Sequence, residues 1–369
     1  EWASQREDKA RSNLLQLPEM SALPRLRRLE IDGIPSQITP EGLLLNNVRS
    51  LSLIDVSGVQ GEQLLEVLRN SPYLERLELG RSPLACPPQP GLIPIHLPHL
   101  MALQLIFMPA QVSNFLLATI HAPNCSELFI SSHFPELPDN VIEHLFTDNT
   151  KHFSPVLQKL LTRGRYKDIH VFRLEDQSID FHLQFHDEDF DYSVDQGILR
   201  LEFKFHSIGQ LEGAVRWLIG YLNRDLPKIR ISLFLDEIEE VRLLNLLDSH
   251  MAIINLAFRA LSGPGFVQPS PILVHMAHPT SLHWPLPSLE TFSYGVVNDE
   301  SHNEMMLTML RRRYGSNSNE TDGERNVLRP LKRMRIESGE KQSVYLLVEA
   351  QKILPQAVTS LIEEDDSIW

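Results

Sequence analysis

Residues 71–79 read SPYLERLEL, from Ser71 to Leu79, and the fold follows from how this stretch is read. Apolar side chains stand at Leu74, Leu77 and Leu79, giving the template apolar-x-x-apolar-x-apolar. The Leu77-Glu78-Leu79 alternation is that of a half-buried strand. The template recurs on both sides. Upstream it is Leu26-x-x-Leu29-x-Ile31 and Val48-x-x-Leu51-x-Leu53; downstream it is Leu100-x-x-Leu103-x-Leu105 and Cys125-x-x-Leu128-x-Ile130. The central positions 29, 51, 77, 103 and 128 are spaced 22, 26, 26 and 25 residues apart. Template matches alone are frequent by chance, so the even spacing carries the inference.

A second signal is proline two residues before the first template position, at Pro24, Pro72, Pro98, Pro123 and Pro287. With 25 prolines in 369 residues, about one such coincidence would be expected among eleven matches. Proline lacks the ladder donor, so it is expected where each strand begins. Helix-patterned stretches separate the strands: Gly61 to Arg69, Gln111 to His121, Ser207 to Asn223, Glu237 to Leu247 and His302 to Arg313. A strand and helix repeating every ~20–29 residues is the leucine-rich-repeat period. The expected fold is therefore α/β, a leucine-rich-repeat-like solenoid with irregular repeats, each unit burying its apolar face on the next.

Later matches are less even: Tyr166-x-x-Ile169-x-Val171, Ile198-x-x-Leu201-x-Phe203, Leu226-x-x-Ile229-x-Ile231, Met251-x-x-Ile254-x-Leu256, Leu289-x-x-Phe292-x-Tyr294 and Leu331-x-x-Met334-x-Ile336. Near Pro227 the register is open, because Ile229, Ile231, Leu233 and Leu235 alternate equally well. Strand-like runs at Ile169–Leu174, Ile179–Phe185 and Ile198–Phe205 predict a small β elaboration in the middle, or else a boundary between halves. The expected organisation is a flank over 1–22, a solenoid over 23–340 with possible halves 23–165 and 166–340, and a helix with an acidic tail over 341–369. Continuous stacking of the two halves is expected.

The motifs LPRLRRLEI (Leu23–Ile31), SPYLERLEL (Ser71–Leu79), LPSLETFSY (Leu286–Tyr294), MLRRRYG (Met309–Gly315) and LKRMRI (Leu331–Ile336) resemble the leucine-rich-repeat half of fungal F-box proteins. The resemblance covers roughly residues 23 to 340. It implies a substrate-recruiting repeat region of a ubiquitin-ligase receptor, whose F-box docks on a Skp1-type adaptor. No F-box is read in 1–22, and the chain begins Glu1-Trp2-Ala3-Ser4 without an initiator Met. Adaptor binding is thus expected only if an F-box lies upstream. The alternative is a free-standing structural or degenerate repeat protein with no ligase role.

Composition narrows the partner. The net charge of −14 disfavours nucleic acid and anionic membrane surfaces, both of which select a clustered basic face. Cys86 and Cys125 form no metal or disulfide pattern, which suggests a reducing compartment, cytoplasmic or nuclear. G-x-S-x-G, P-loop, GxGxxG and HExxH motifs are all missing, so no enzymatic role and no cofactor is expected. His182 and His186, with Asp187, Asp189 and Asp191, have a helical ligand spacing in a segment that alternates like a strand, which argues for a solvated acidic turn. His275, His278 and His283 read as a loop, and Arg311-Arg312-Arg313 as the solvent end of a helix. Arg329, Lys332, Arg333 and Arg335 read as the solvent face of a strand. Partner contacts are expected from residues between the core positions of each strand: Glu30, Ser52, Glu78, Gln104, Phe129, His170, Glu202 and Arg230, continuing to Asn255, Ser293 and Arg335. Arg28, Ser50, Arg76, Ala102 and Glu127 are expected beside that row. Phe129, the large apolar residue of the row, is the candidate hot spot.

Overall fold

A computed structural model describes residues 25–33, 46–56, 61–81, 94–133, 153–163, 166–173, 178–186, 199–221, 228–234, 237–249, 252–259, 270–279, 284–295, 300–315, 328–337 and 341–362. The protein is mixed α/β with mostly parallel strand pairing. It divides into two compact units, one running to Leu161 and taking in 199–203, the other holding the remainder. Among the described residues no helix is long and apolar enough to cross a membrane. Cys86, His283, Asp187, Asp189 and Asp191, and the segments 1–22 and 363–369, lie outside the described residues.

The first unit contains β1 (Arg28–Asp32), β2 (Ser50–Ile54), α1 (Gly61–Arg69), β3 (Arg76–Gly80), β4 (Ile95–His96), β5 (Ala102–Pro109), α2 (Ala110–Thr119), β6 (Ile120–His121), β7 (Glu127–His133) and α3 (Ser154–Arg163). Strands β1, β2, β3, β5 and β7 lie side by side in that order, all parallel. The template residues Leu51, Leu77, Leu79, Leu103, Leu105, Leu128 and Ile130 are buried, and so are Leu64, Leu65, Val67 and Leu68 of α1. Parallel strands cannot be joined by tight hairpins. That is why connections of some twenty residues separate them and why the period is long.

Pro24 lies outside the described residues; Pro72, Pro98, Pro123 and Pro287 sit one step earlier than expected. They occupy the second position of a tight turn that ends before the strand, where their fixed φ is pre-set for the turn. In Ser71-Pro72-Tyr73-Leu74 the Leu74 amide donates to the Ser71 carbonyl at 3.2 Å. The same bond closes Leu97-Pro98-His99-Leu100 (3.2 Å), Ala122-Pro123-Asn124-Cys125 (3.1 Å) and Leu286-Pro287-Ser288-Leu289 (3.2 Å). A further turn of this kind, Leu354-Pro355-Gln356-Ala357 (3.1 Å), lies past the expected end of the pattern. Just after each turn a recurring backbone bond ties one strand to the next. The Arg49 carbonyl accepts from the Glu75 and Arg76 amides, Glu75 from Met101 and Ala102, and Met101 from Ser126 and Glu127, all at 2.7–3.1 Å.

The second unit contains β8 (Tyr166–Arg173), β9 (Ile179–His186), most of the region after β10 (Leu199–Phe205), then α4 (Ile208–Tyr221), β11 (Lys228–Phe234), α5 (Glu237–Asp248), β12 (Ala252–Arg259), α6 (Pro271–Ala277), β13 (Thr291–Gly295), α7 (Glu300–Tyr314), β14 (Arg333–Glu337), α8 (Lys341–Ile353) and β15 (Val358–Ile362). Its strands run β9-β8-β11-β12-β13-β14-β15, parallel except for the antiparallel pair β8 and β9. The three strands expected over 169–206 are present as β8, β9 and β10. Other boundaries differ. The helix expected around 343–362 stops at Ile353, because Leu354 precedes Pro355 and is pushed out of helical φ/ψ. The chain then pairs as β15 on β14. His275, expected in a loop, lies in the last turn of α6, with His278 as its C-cap.

Candidate interaction surface

In the first unit the expected row is a true ladder. Glu30 opposes Ser52, Ser52 opposes Glu78, Glu78 opposes Gln104 and Gln104 opposes Phe129. Arg28, Ser50, Arg76, Ala102 and Glu127 make the adjoining ladder, two residues away and so on the same sheet face. The template leucines point to the opposite face and fill the core. Charges on the open face are paired locally. Arg28 Nε donates to Glu30 at 2.6 Å. Arg76 reaches across the small Ala102 to Glu127 at 3.9 Å. Both pairs are exposed, so each adds little stability; their consequence is a face of alternating sign with no single-sign field. Two expected contact residues are less available than the row implied: Ser52 and Ala102 are buried.

Phe129 is half-buried beneath another side chain. The Arg200 guanidinium lies over its ring at 4.9 Å from the centroid, and Arg200 is held by Glu202 at 2.6 Å. The expected contact residues Phe129 and Glu202 therefore meet through an arginine that the template did not select. Desolvation on binding would strengthen this cation–π pair.

In the second unit the row is displaced on two strands. Arg230 opposes Asp168, not His170, and forms an ion pair with it at 3.7 Å. His170 opposes Ser232 on one side and His182 on the other. Asn255 opposes Arg230 and Thr291, whereas Ser293 opposes Ala257 and Arg335. So Ile231 and Leu233, rather than Ile229 and Ile231, match Ile169 and Val171. The template slipped by two on β11 and β12, the first of these being where its register was open. An irregularity between Ile229 and Arg230 shifts the pairing with β12. Because the slip is even, the residues beyond that irregularity keep their face, but at it Ile253 takes the buried place expected of Ile254. Ser293 is fully buried, so it contributes no surface.

A feature that the template missed runs along the strand ends. Gly33, Asp55, Arg81 and Phe107 each follow the fifth residue of β1, β2 and β3 or the corresponding residue of β5, and each has positive φ (68°, 54°, 47° and 51°). The amides of Gly33, Asp55 and Arg81 donate to the carbonyls of Ile54, Gly80 and Ile106 on the neighbouring strand at 3.1, 3.0 and 2.9 Å. That bond requires the left-handed turn. Glycine adopts it freely, aspartate tolerates it, and arginine and phenylalanine do so under strain. Arg81 links the column, lying 3.6 Å from the Asp55 carboxylate and 5.4 Å from the Phe107 ring centroid. Phe107 is 51% exposed. Bulky side chains held in strained backbone cluster at ligand contacts. The only sequence signal was alignment of the residue after each strand, Gly33-Asp55-Arg81-Phe107, whose types share nothing.

The basic clusters are largely occupied. Arg311 bonds Glu304 at 2.6 Å and Arg312 lies 2.8 Å from His278. Arg313, expected at the solvent end of the helix, is buried instead. Its Nη2 donates to the Leu286 carbonyl at 2.5 Å and its Nε to the Tyr314 hydroxyl at 3.0 Å, while Asp248 accepts from the Leu286 amide at 3.0 Å. Leu286 has φ 49°, so this carboxylate and guanidinium clamp a strained residue from both sides, just before the Pro287 turn. Burial and the Arg313 charge together push the His275 pKa down. Lys332 and Arg329 both engage Glu290, at 2.8 and 3.3 Å, and the hydrogen bond from Lys332 leads in holding its carboxyl below the usual range. His182 lies on strand β9, so the i, i+4 spacing to His186 separates the two by about 13 Å. Among the described residues no three metal-ligating side chains converge. No family model, curated protein or solved structure matches this chain.

Proposed function

We propose that this chain is a protein-binding module, built as a leucine-rich-repeat-like solenoid, that recruits a protein partner as the repeats of F-box ligase receptors do. The observation that carries this reading is the open face of the first unit. There five parallel strands carry the in-register row Glu30, Ser52, Glu78, Gln104 and Phe129, of which Glu30 is exposed, Glu78, Gln104 and Phe129 are half-buried and Ser52 is buried, edged at the strand ends by Arg81 and Phe107. The recurrence of the proline turn at 25- or 26-residue intervals in this unit supports a repeat. A mixed-charge face with one partly covered aromatic suits a protein surface, where buried aromatic and arginine anchors supply most of the binding energy. The ligase part of the proposal rests on the resemblance of the repeat motifs. The second reading, a free-standing repeat protein, uses the same face without an adaptor.

The test is affinity capture with the intact protein, its Glu78→Lys/Phe129→Asp variant, and a Glu66→Lys control on the exposed side of α1. Partners retained by the wild type and the control, but lost from the face variant at unchanged melting temperature, support the module. Partners indifferent to the face variant refute it. A Skp1-type adaptor co-purifying with all three forms supports the receptor reading; partner capture without any adaptor favours the free-standing one.

A further inference from the structure

Strands β4 and β6 are each two residues long and pair in parallel, with Ile95 opposite Ile120 and His96 opposite His121. Both isoleucines are buried, so alternation sends both imidazoles outward. The Leu97 amide donates to the His121 carbonyl at 2.9 Å, which locks the two backbones together beside the rings. The ring centroids are 4.9 Å apart, and the two Nδ1 atoms face each other at 2.8 Å, one donating and one accepting. Each histidine stands two residues before a turn proline, Pro98 or Pro123. The pair is thus a product of the same 25-residue recurrence that sets the strands.

Two imidazole nitrogens on a fixed backbone, one hydrogen-bond length apart, can hold one metal ion between them once the shared proton has left Nδ1. Imidazole nitrogen suits copper, nickel and zinc, and copper(II) heads the affinity order of the divalent first-row metals. We propose that His96 and His121 form a two-imidazole site for a divalent transition metal, copper(II) above all. On binding, the donor ring gives up its Nδ1 proton to solvent and takes one up at Nε2, so both imidazoles stay neutral, and water fills the other metal positions. This site is separate from the protein-binding reading and stands or falls without it.

The experiment titrates the intact chain with copper(II) and records electron paramagnetic resonance and pulsed nitrogen-modulation spectra. A site with two imidazole ligands in wild type, weakened at least tenfold by His96→Asn and equally by His121→Asn, with zinc(II) at least tenfold weaker than copper(II), is the expected result. His99→Asn, on the neighbouring turn, leaves it unchanged. Copper spectra and affinity unchanged from wild type in both variants overturn the site. Zinc bound as tightly as copper overturns the preference for copper(II). The wild-type spectrum is decisive without any variant, since a signal from a single imidazole contradicts the pair.

Discussion

Gly33 and Phe107 hold the same left-handed backbone at matching strand ends, and only the glycine does so without strain. Nothing lies within 4 Å of a Cβ built on Gly33, so Gly33→Ala tests the backbone alone and is expected to cost about 1 kcal/mol. Phe107→Gly is expected to do the reverse, raising stability by roughly 0.5–1 kcal/mol once the gain in unfolded-chain freedom is subtracted. Urea denaturation reads both, and a Phe107→Gly variant less stable than wild type would show that the ring is held for packing rather than for a partner. Cys125, read from the sequence as a buried hydrophobe, is buried, and burial pushes its thiol from 9.0 up to about 12. In a Cys86→Ser background the native protein is therefore expected to resist thiol reagents at pH 8 and to react on unfolding. The folded pKa exceeds the unfolded one, so the contribution is whole below pH 9 and is lost as pH climbs towards about 12. Cys125→Ala should flatten that alkaline decline, as denaturation series at pH 8 and 10.5 would show. Other residues were illegible because their determinants are distant in sequence. Phe129 could be chosen as the row's aromatic, but nothing nearby announces that Arg200 covers it. Arg313 could be read only as one of three arginines at a helix end, whereas its burial depends on Leu286 and Trp284.

At the scale of elements the turns explain why the first unit was readable. A proline, one residue and then an apolar position form one local motif, and each turn is closed by its own hydrogen bond, so no distant contact is needed to place the strand that follows. Pro98→Ala and Pro123→Ala are each expected to cost roughly 0.4–1 kcal/mol, through the unfolded chain's added freedom rather than through lost contacts. The bond from Asn124 Nδ2 to the Pro98 carbonyl (2.7 Å) should survive either change. Because each substitution acts through the unfolded chain, the double variant should lose close to the sum although Asn124 bridges the two turns; a much larger loss in chemical denaturation would mean that the turns act as a unit. The template slipped by two on β11 and β12; the residues just before these strands, Pro227 among them, lie outside the described residues. Helices α3 and α6 went unread because they are short, at 10 and 7 residues, and lie between stretches that already had an interpretation. Strand β15 was absorbed into a longer helix because its own apolar pattern is weak, with Thr359 where Met334 stands on its neighbour.

At the scale of the whole molecule, sequence order and strand order coincide through most of each unit, since every strand but those around β8 and β9 pairs with the strand next along the chain or the one after it. This made the α/β class legible from period alone. Spacing says that strands recur; it does not say that β9 turns back antiparallel on β8, because that depends on a short connection rather than on face periodicity. The ends of the two runs of strands differ in kind. Strand β1 is guarded by Arg28, Glu30 and Asp32, a familiar protection for an unpaired edge, whereas β15 reads Val358-Thr-Ser-Leu-Ile362 with no charge and with Val358 65% exposed. Among the described residues both strands are paired on one side only, β1 with β2 and β15 with β14. Opening such a strand breaks a single ladder and exposes little core, while opening β3 or β13 breaks two ladders and uncovers buried leucines or aromatics. Amide hydrogen exchange is accordingly expected to be fastest at Leu29, Ile31, Thr359 and Leu361, and slowest at Leu77, Leu103, Phe292 and Tyr294. Adding one charge to the bare edge, Val358→Lys, should leave that order intact and reduce self-association in light scattering. Equal protection across β1, β3, β13 and β15 would contradict local opening and would mean that the strands of each unit unfold only together.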